Sequence, residues 1–339
     1  MRSGHRFPVA PAERLAGARA TPGFEVRRRH FPPVMEFYAP GLKRWETSEW
    51  KPTHPRRFLP VSVTGRSCAL QCDHCKAKVL DGMLALPPSQ SLFELARRLR
   101  AEGTEGLLVS GGSTRTGGVP LLPHLPDVQR IRLELGMRVV VHSGFVSPEV
   151  AAALARAGVD GVMLDVIGAD ETIREVYHLD RTVSDVERSL ALLADQGLRI
   201  IPHIVLGLHY GRFLGEYRAL DLVARYPVST LVLVVLVPLS GTPMAALQPP
   251  PPQQVTEFFG DARRALPRTK INLGCARPMA AAKAVLDRAA VDHGLNGIAY
   301  PAEGIVEYAR SRGLEPRFYE FCCSLTWTAG QGVEVTATP

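Results

Sequence analysis

From residue 58 onward, hydrophobic positions come in short continuous runs separated by amphipathic stretches. The runs at 60–64, 106–110, 138–142, 161–166, 199–206, 230–237, 270–273 and 297–300 are bounded by turn residues and read as strands. The stretches 91–100, 148–157, 184–196, 214–225, 254–266, 279–291 and 302–311 space their apolar residues as amphipathic helices do. A run such as 231–237 has no polar alternation, which is the pattern of a parallel strand buried on both faces. Eight strands alternating with helices predict an α/β fold of the closed (β/α)8 TIM type over 58–314. Residues 1–57, rich in Pro, Gly and Arg, are expected to form an N-terminal arm whose aromatic part, 32–50, packs on the body. Residues 315–339 are expected to form a C-terminal extension that closes the barrel mouth.

Composition narrows the class. The chain has 339 residues, 46% of them hydrophobic, enough for a large core and unlike a disordered chain. The longest apolar run, 231–239, is about half of what a bilayer span needs. The basic N-terminus lacks an apolar core of the signal-peptide kind, so a cytoplasmic protein is expected. The formal charge of +7 is partly concentrated in Arg27–Arg28–Arg29–His30 and Arg56–Arg57. That concentration fits either a solvated surface or a docking face for an acidic partner. No nucleic-acid motif or aromatic interleaving accompanies it.

The six cysteines carry the candidate chemistry. In a reducing compartment they point to metal ligation or catalysis more than to disulfides. Cys68-Ala-Leu-Gln-Cys72-Asp-His-Cys75 is a C-x3-C-x2-C motif directly after the first predicted strand, on the face where barrels place their chemistry. Three thiolates on one short loop can each take one iron of a [4Fe–4S] cubane and leave the fourth iron open. An open iron can bind the amino and carboxylate groups of S-adenosylmethionine (SAM). Electron transfer then breaks the C–S bond to give a 5′-deoxyadenosyl radical. The competing reading is a zinc site with His74, whose adjacency to Cys75 is awkward for a tetrahedral ion.

Cys275, after strand seven, and Cys322 and Cys323, in the extension, form a second set. Folded across the mouth, they could hold an auxiliary [4Fe–4S] cluster, with Ser324 as an oxygen donor. They could equally be small buried hydrophobes. His142, Asp165 and His203 lie on strands three, four and five. Each is either a contact to substrate or cofactor or a satisfied rim residue.

The triplet in this setting resembles the radical SAM superfamily over roughly residues 58–300. Ser110-Gly111-Gly112-Ser113 resembles the family's Gly-Gly loop, whose backbone meets the SAM amino group. Here Ser113 replaces the usual Glu. Ile204-Val205-Leu206-Gly207-Leu208 resembles the adenine-contact segment, and Val237-Pro238-Leu239-Ser240-Gly241-Thr242-Pro243 the loop of biotin-synthase-like members. The resemblance implies Ser110, Gly111, Gly112, His142 and Gly207 as cofactor contacts.

Met35-Glu36-Phe37-Tyr38-Ala39-Pro40-Gly41-Leu42-Lys43, Ser62-Val63-Thr64-Gly65 and Leu80-Asp81-Gly82-Met83 resemble the two-protein lipoyl synthases of archaea and some bacteria. The resemblance implies one sulfur inserted at C6 or C8 of an octanoyl-lysine on an acidic carrier protein. It also implies a second related subunit and an electron donor such as ferredoxin or flavodoxin. This chain has no cysteine triplet ahead of Cys68, as single-protein lipoyl synthases have, and no strand cysteines like those of biotin synthase. Another biotin-synthase-like enzyme, inserting sulfur into a small molecule or acting as a carbon-skeleton maturase, and a non-catalytic metal-binding partner remain alternatives.

Overall fold

The computed structural model describes residues 20–325. In chain order the elements are α1 (Pro22–His30), β1 (Val34–Tyr38), β2 (Phe58–Ser62), β3 (Leu84–Ala85), α2 (Leu92–Ala101), β4 (Gly106–Ser110), α3 (Leu125–Leu135), β5 (Arg138–His142), α4 (Pro148–Ala157) and β6 (Gly161–Asp165). They continue with α5 (Asp170–Glu175), α6 (Val183–Asp195), β7 (Ile200–Leu206), α7 (Glu216–Ala224), β8 (Thr230–Val235), α8 (Pro252–Ala265), β9 (Lys270–Leu273), α9 (Ala281–Asp292), β10 (Gly297–Ala299), α10 (Ile305–Ser311) and β11 (Glu315–Tyr319).

The eleven strands form one sheet in the order β11-β1-β10-β9-β8-β7-β6-β5-β4-β2-β3, with every described pairing parallel. The eight strands expected from the apolar runs are β2 and β4 to β10, in sequential order. Val139, Val141, Val162, Leu231, Leu233 and Ile271 are fully or almost fully buried, as parallel strands covered on both faces require. The α/β barrel-type architecture is therefore present.

Its closure differs from the eight-strand expectation. β1, from the stretch read as an arm, inserts between β10 and β11, and the hydrogen-bonded sheet runs open from β11 at one edge to β3 at the other. In-register stacking fixes this insertion: Phe37 lies 5.7 Å from Phe318 and Tyr38 lies 5.5 Å from Tyr319. The buried Glu36 on β1 accepts from Tyr38 Oη at 2.7 Å and Lys270 Nζ at 2.7 Å. Between β11 and β2 the contact is made by side chains and loops. Arg57 pairs with the buried Glu320 at 3.3 Å, Phe58 meets Phe321 at 6.0 Å, and Gly41 N–H donates to the Phe58 carbonyl at 2.9 Å. Glu320 Oε1 also accepts from the backbone of Thr53 and His54.

The helices start where local chemistry dictates. Ser91 and Glu94 form a capping box at α2, and Thr182 with Asp185 does the same at α6. Ser147 caps α4, which begins at Pro148 and ends at Gly158 in the left-handed conformation. Among the described residues no helix is long and apolar enough to cross a membrane.

One buried ionic network anchors the loop after β9. Asp287, on α9, accepts from Arg277 at 2.6 and 3.0 Å, from Lys283 at 3.0 Å and from Ala302 N–H at 2.7 Å. Arg277 in turn donates to the carbonyls of Gly274 at 2.8 Å and Tyr300 at 3.0 Å. Removing the carboxylate would leave two buried cations without their anion. Asp287→Ala is therefore expected to lose roughly 3–5 kcal/mol of stability, measured by chemical denaturation. A loss under about 1 kcal/mol, the range of exposed ion pairs, would show the network to be incidental.

Candidate active site at the carboxyl ends of the strands

The C-x3-C-x2-C loop leaves β2 and folds back over the barrel end. Gln71, Lys76 and Ala77 take left-handed backbone angles, with φ of 49°, 45° and 61°. Such angles are uncommon for non-glycine residues and gather at functional loops. The loop is tied to its surroundings at several points. Ala69 N–H donates to the Ser113 carbonyl at 2.8 Å, Gln71 Nε2 to the Cys68 carbonyl at 2.9 Å, and Lys76 Nζ to the Gln71 carbonyl at 2.6 Å. Asp73, between Cys72 and His74, accepts from Tyr210 Oη at 3.0 Å and lies 3.0 Å from His178 Nε2 and 3.2 Å from Lys76 Nζ. The loop is thereby joined to the segments that follow α5 and β7.

The end of β4 presses on this loop. A Cβ at Gly112 would stand 2.0 Å from the Ser67 carbonyl oxygen and 2.6 Å from Cys68 Cα. Only glycine permits that approach. Gly112 N–H donates to Thr64 Oγ1 at 2.7 Å, and Thr64 Oγ1 donates to the Ser67 carbonyl at 2.9 Å. The arrangement encloses a cavity of about 350 Å³. Cys68, Cys72, Cys75, Ser110, Gly111, Gly112 and His142 all line it. All six cysteines are free thiols. The hydrogen bond between Cys72 and Cys75 pushes the Cys75 thiol well down and Cys72 up.

Asp165 and Tyr177 also line the cavity. Tyr177 Oη donates to Asp165 Oδ2 at 3.0 Å, and His142 Nε2 lies 3.6 Å from Asp165 Oδ1. Burial opposes ionisation of Asp165, but the neighbouring His142 and then His203 outweigh it and hold the carboxyl far below its usual range. His203 lies with its ring 5.7 Å from His142 and its Nδ1 3.1 Å from the Ile201 carbonyl.

Two groups of expected site residues lie elsewhere. Gly207, with φ of 78°, packs on Pro250 and donates its N–H to Glu216 Oε1 at 2.9 Å, outside the lining of this cavity. Cys275, Cys322 and Cys323 are likewise outside it but are within electrostatic reach of one another. Burial pushes the Cys275 thiol up, with Cys322 adding to the effect, while Lys43 and Arg277 oppose it. Cys322 is also within reach of His142. Asn272 Nδ2 donates to the Cys323 carbonyl at 2.7 Å, and Ser324 beside it is buried.

Residues 62–212 match the model of the radical SAM superfamily. The biotin synthase of Halorhodospira halophila is 26% identical over 246 residues, covering 66% of this chain and 72% of its own. That of Cenarchaeum symbiosum is 30% identical over 173 residues, covering 50% of this chain and 52% of its own. Over that stretch the chain is similar to the radical SAM superfamily. Its fold is shared with the crystal structure of methylornithine synthase (PylB), at a TM-score of 0.58 and 12% identity over 87% of both chains. The FeFe-hydrogenase maturase HydG of Carboxydothermus hydrogenoformans matches equally, at 0.58 and 15% identity over 88% of this chain and 71% of that one.

The similarity implies SAM and a [4Fe–4S] cluster. Among the described residues no three His, Cys, Asp or Glu side chains stand grouped closely enough to hold a metal ion, but the donor chemistry at the cysteine loop suits a cluster. Three free thiols border one cavity, and a glycine backbone abuts the loop that bears them.

Sequence reasoning did not connect Asp73, Tyr210, His178 and Glu216 to the site. Two of the Asp73 partners, His178 and Tyr210, lie 105 and 137 residues further along the chain, and only chain-order neighbours are visible in a sequence. Glu216 stands at the first position of α7 after a left-handed Gly215, nine residues past the amide that it holds.

The buried histidine sets a pH dependence. Burial first, and His142 second, push His203 from its ordinary 6.5 down to about 4. Between those values the unfolded chain binds a proton that the folded chain excludes, so stability falls as pH drops from about 6.5 to about 4. Asp165 titrates below this window. His203→Gln is expected to flatten that slope in denaturation series at pH 4.5 and pH 7. Equal losses in variant and wild type would exclude His203 as its source.

Proposed function

We propose that the protein is a sulfur-inserting radical SAM enzyme and one half of a two-protein lipoyl synthase. Its substrate would be an octanoyl-lysine on an acidic carrier protein. The observation that carries this reading is the second cysteine set. Cys275 and the Cys322–Cys323 pair come from segments far apart in sequence and act electrostatically on one another, although among the described residues no three such side chains stand grouped closely enough to hold a metal ion. His142, which lines the first cavity, acts weakly on Cys322.

In this reading Cys68, Cys72 and Cys75 hold the SAM cluster, and Cys275, Cys322 and Cys323 hold an auxiliary one. When bound, these groups supply a hydrogen-abstracting carbon radical and the sulfur that traps the substrate radical. The chain's own residues do the rest. Ser110, Gly111 and Gly112 offer backbone and hydroxyl groups to the methionine end of SAM. Gly207 shapes the adjacent strand end. The exposed Lys43 stands 4.4 Å over the Tyr300 ring, and Lys43 and Arg277 both act electrostatically on Cys275. Their positive charge offsets that of ligating thiolates, as cations near a thiolate do.

The cavity suits an alkyl chain. Leu70, Leu80, Met83, Val119, Phe145 and Ile167 contribute to its wall, and no Lys or Arg appears among its lining residues. A free carboxylic acid would find no cation there, whereas an amide-linked acyl chain needs none. The relatedness to biotin synthases supports sulfur insertion as the chemistry. A second related subunit and a ferredoxin or flavodoxin donor complete the proposal.

Anaerobic iron and sulfide analysis tests the two-cluster premise. Wild type is expected to carry about eight irons per chain, and Cys275→Ala and Cys322→Ala about four each. An octanoyl-lysine peptide, incubated with SAM and reductant, is then examined by mass spectrometry. Absence of a thiolated product, with this chain alone and with its partner subunit, would falsify the assignment.

A further inference from the structure

A second cavity, of about 580 Å³, opens beside the first. It runs between the segment after β4, the start of α4 and the first turns of α6. Val119, Phe145 and Ser189 line both cavities. The partition between them is thin. Gly118 bridges to Gly144, and a Cβ at Gly144 would stand 2.3 Å from the Gly117 carbonyl oxygen. A Cβ at Gly117 would meet the Phe145 ring at 2.7 Å. Glycine backbone, the Phe145 ring and the side chains of Val119 and Ser189 stand between the groove and the cysteine-lined cavity.

The two cavities differ in charge. Arg181 and Arg188 line the groove, against the single carboxylate of Asp185, which pairs with Arg181 at 3.2 Å. Arg188 is exposed, and so is Arg115, between the groove residues Thr114 and Thr116. Leu122, Val146 and Val150 give the same groove an apolar floor. The cations thus stand outside, along the approach, and the cavity with the cysteines has none in its lining.

We propose that this groove seats an acidic peptide segment whose modified lysine reaches past Phe145 into the cysteine-lined cavity. The proposal rests on the sulfur-insertion reading for the identity of the arm, but docking itself stands on the charge pattern and on the continuity of the two cavities. A slot lined by short loops and one helix face takes a chain segment. A stable subunit interface needs a broader surface, about 800 Å² per partner. Complementary charge would govern orientation and encounter rate more than final affinity, and salt would screen it.

The test uses the full chain and two synthetic peptides. One carries octanoyl-lysine flanked by Asp and Glu, and the other has Asn and Gln in their place. Binding is measured anaerobically with SAM present and no reductant, so affinity is read without turnover. Arg188→Glu is expected to weaken the acidic peptide about tenfold at low salt and to leave the neutral one unchanged, and Arg181→Gln to act in the same direction less strongly. Raised salt should weaken wild-type binding of the acidic peptide. Equal affinity of wild type and Arg188→Glu for the acidic peptide would overturn the docking site, as would equal weakening of both peptides. Charge-dependent binding followed by no thiolated product on reduction, with this chain alone and with its partner subunit, would instead support docking and overturn the sulfur-insertion reading alone.

Discussion

The backbone of Gly112 touches the backbone of Ser67 and Cys68, and the rest of the site is arranged around that contact. A methyl group at position 112 has nowhere to go, because its nearest neighbours are main-chain atoms and not the movable end of a side chain. The end of β4 therefore fixes how far the cysteine loop can stand from the barrel. Thr64 reinforces the contact by accepting from Gly112 N–H and donating to the Ser67 carbonyl. Asp73 then sets the opposite side of the loop through Tyr210, His178 and Lys76. A loop with three left-handed non-glycine residues is held by fixed points on both flanks, which is what such strained geometry requires to persist.

The central eight strands were legible because each is buried on both faces, which leaves a continuous apolar run in the sequence. The elements that escaped reading fail that criterion. β1 contains the buried Glu36, made tolerable by Lys270, a partner 234 residues away, and it is flanked by prolines that read as an arm. β11 carries Pro316 and Arg317 and acquires its strand character by pairing with β1. α3 begins Leu-Pro-Asp and leaves Leu133 exposed, which blurs its apolar stripe. The cysteine motif and the glycine pair announced themselves through spacing after a strand. Gly207 did not behave as its motif suggested, because Pro250 and Glu216 occupy its immediate surroundings. Domain boundaries drawn at composition changes also blur once strands from both flanking segments join the sheet.

His142, Asp165 and His203 occupy the space between the first cavity and the second cysteine set. Burying three ionisable groups together is costly unless their charges and hydrogen bonds compensate. Here Asp165 stays ionised because His142 and Tyr177 approach it, while His203, pressed against His142, is driven toward its neutral form.

The distribution of charge over the molecule follows a similar division. Among the described residues, Arg115 and Arg188 are exposed, whereas Arg27, Arg263 and Arg277 are buried and engaged with carbonyls, aromatic rings or Asp287. The cavity lining contains no Lys or Arg. A radical chemistry needs a dry, weakly polar chamber, since water and mobile protons quench reactive intermediates. Long-range attraction, in contrast, acts best from exposed cations that meet a partner before contact. Under the proposed function, separating the two roles in space would let one chain attract an acidic macromolecule while presenting a neutral alkyl arm with an apolar wall. The thin glycine partition beside Phe145 is where those two environments meet.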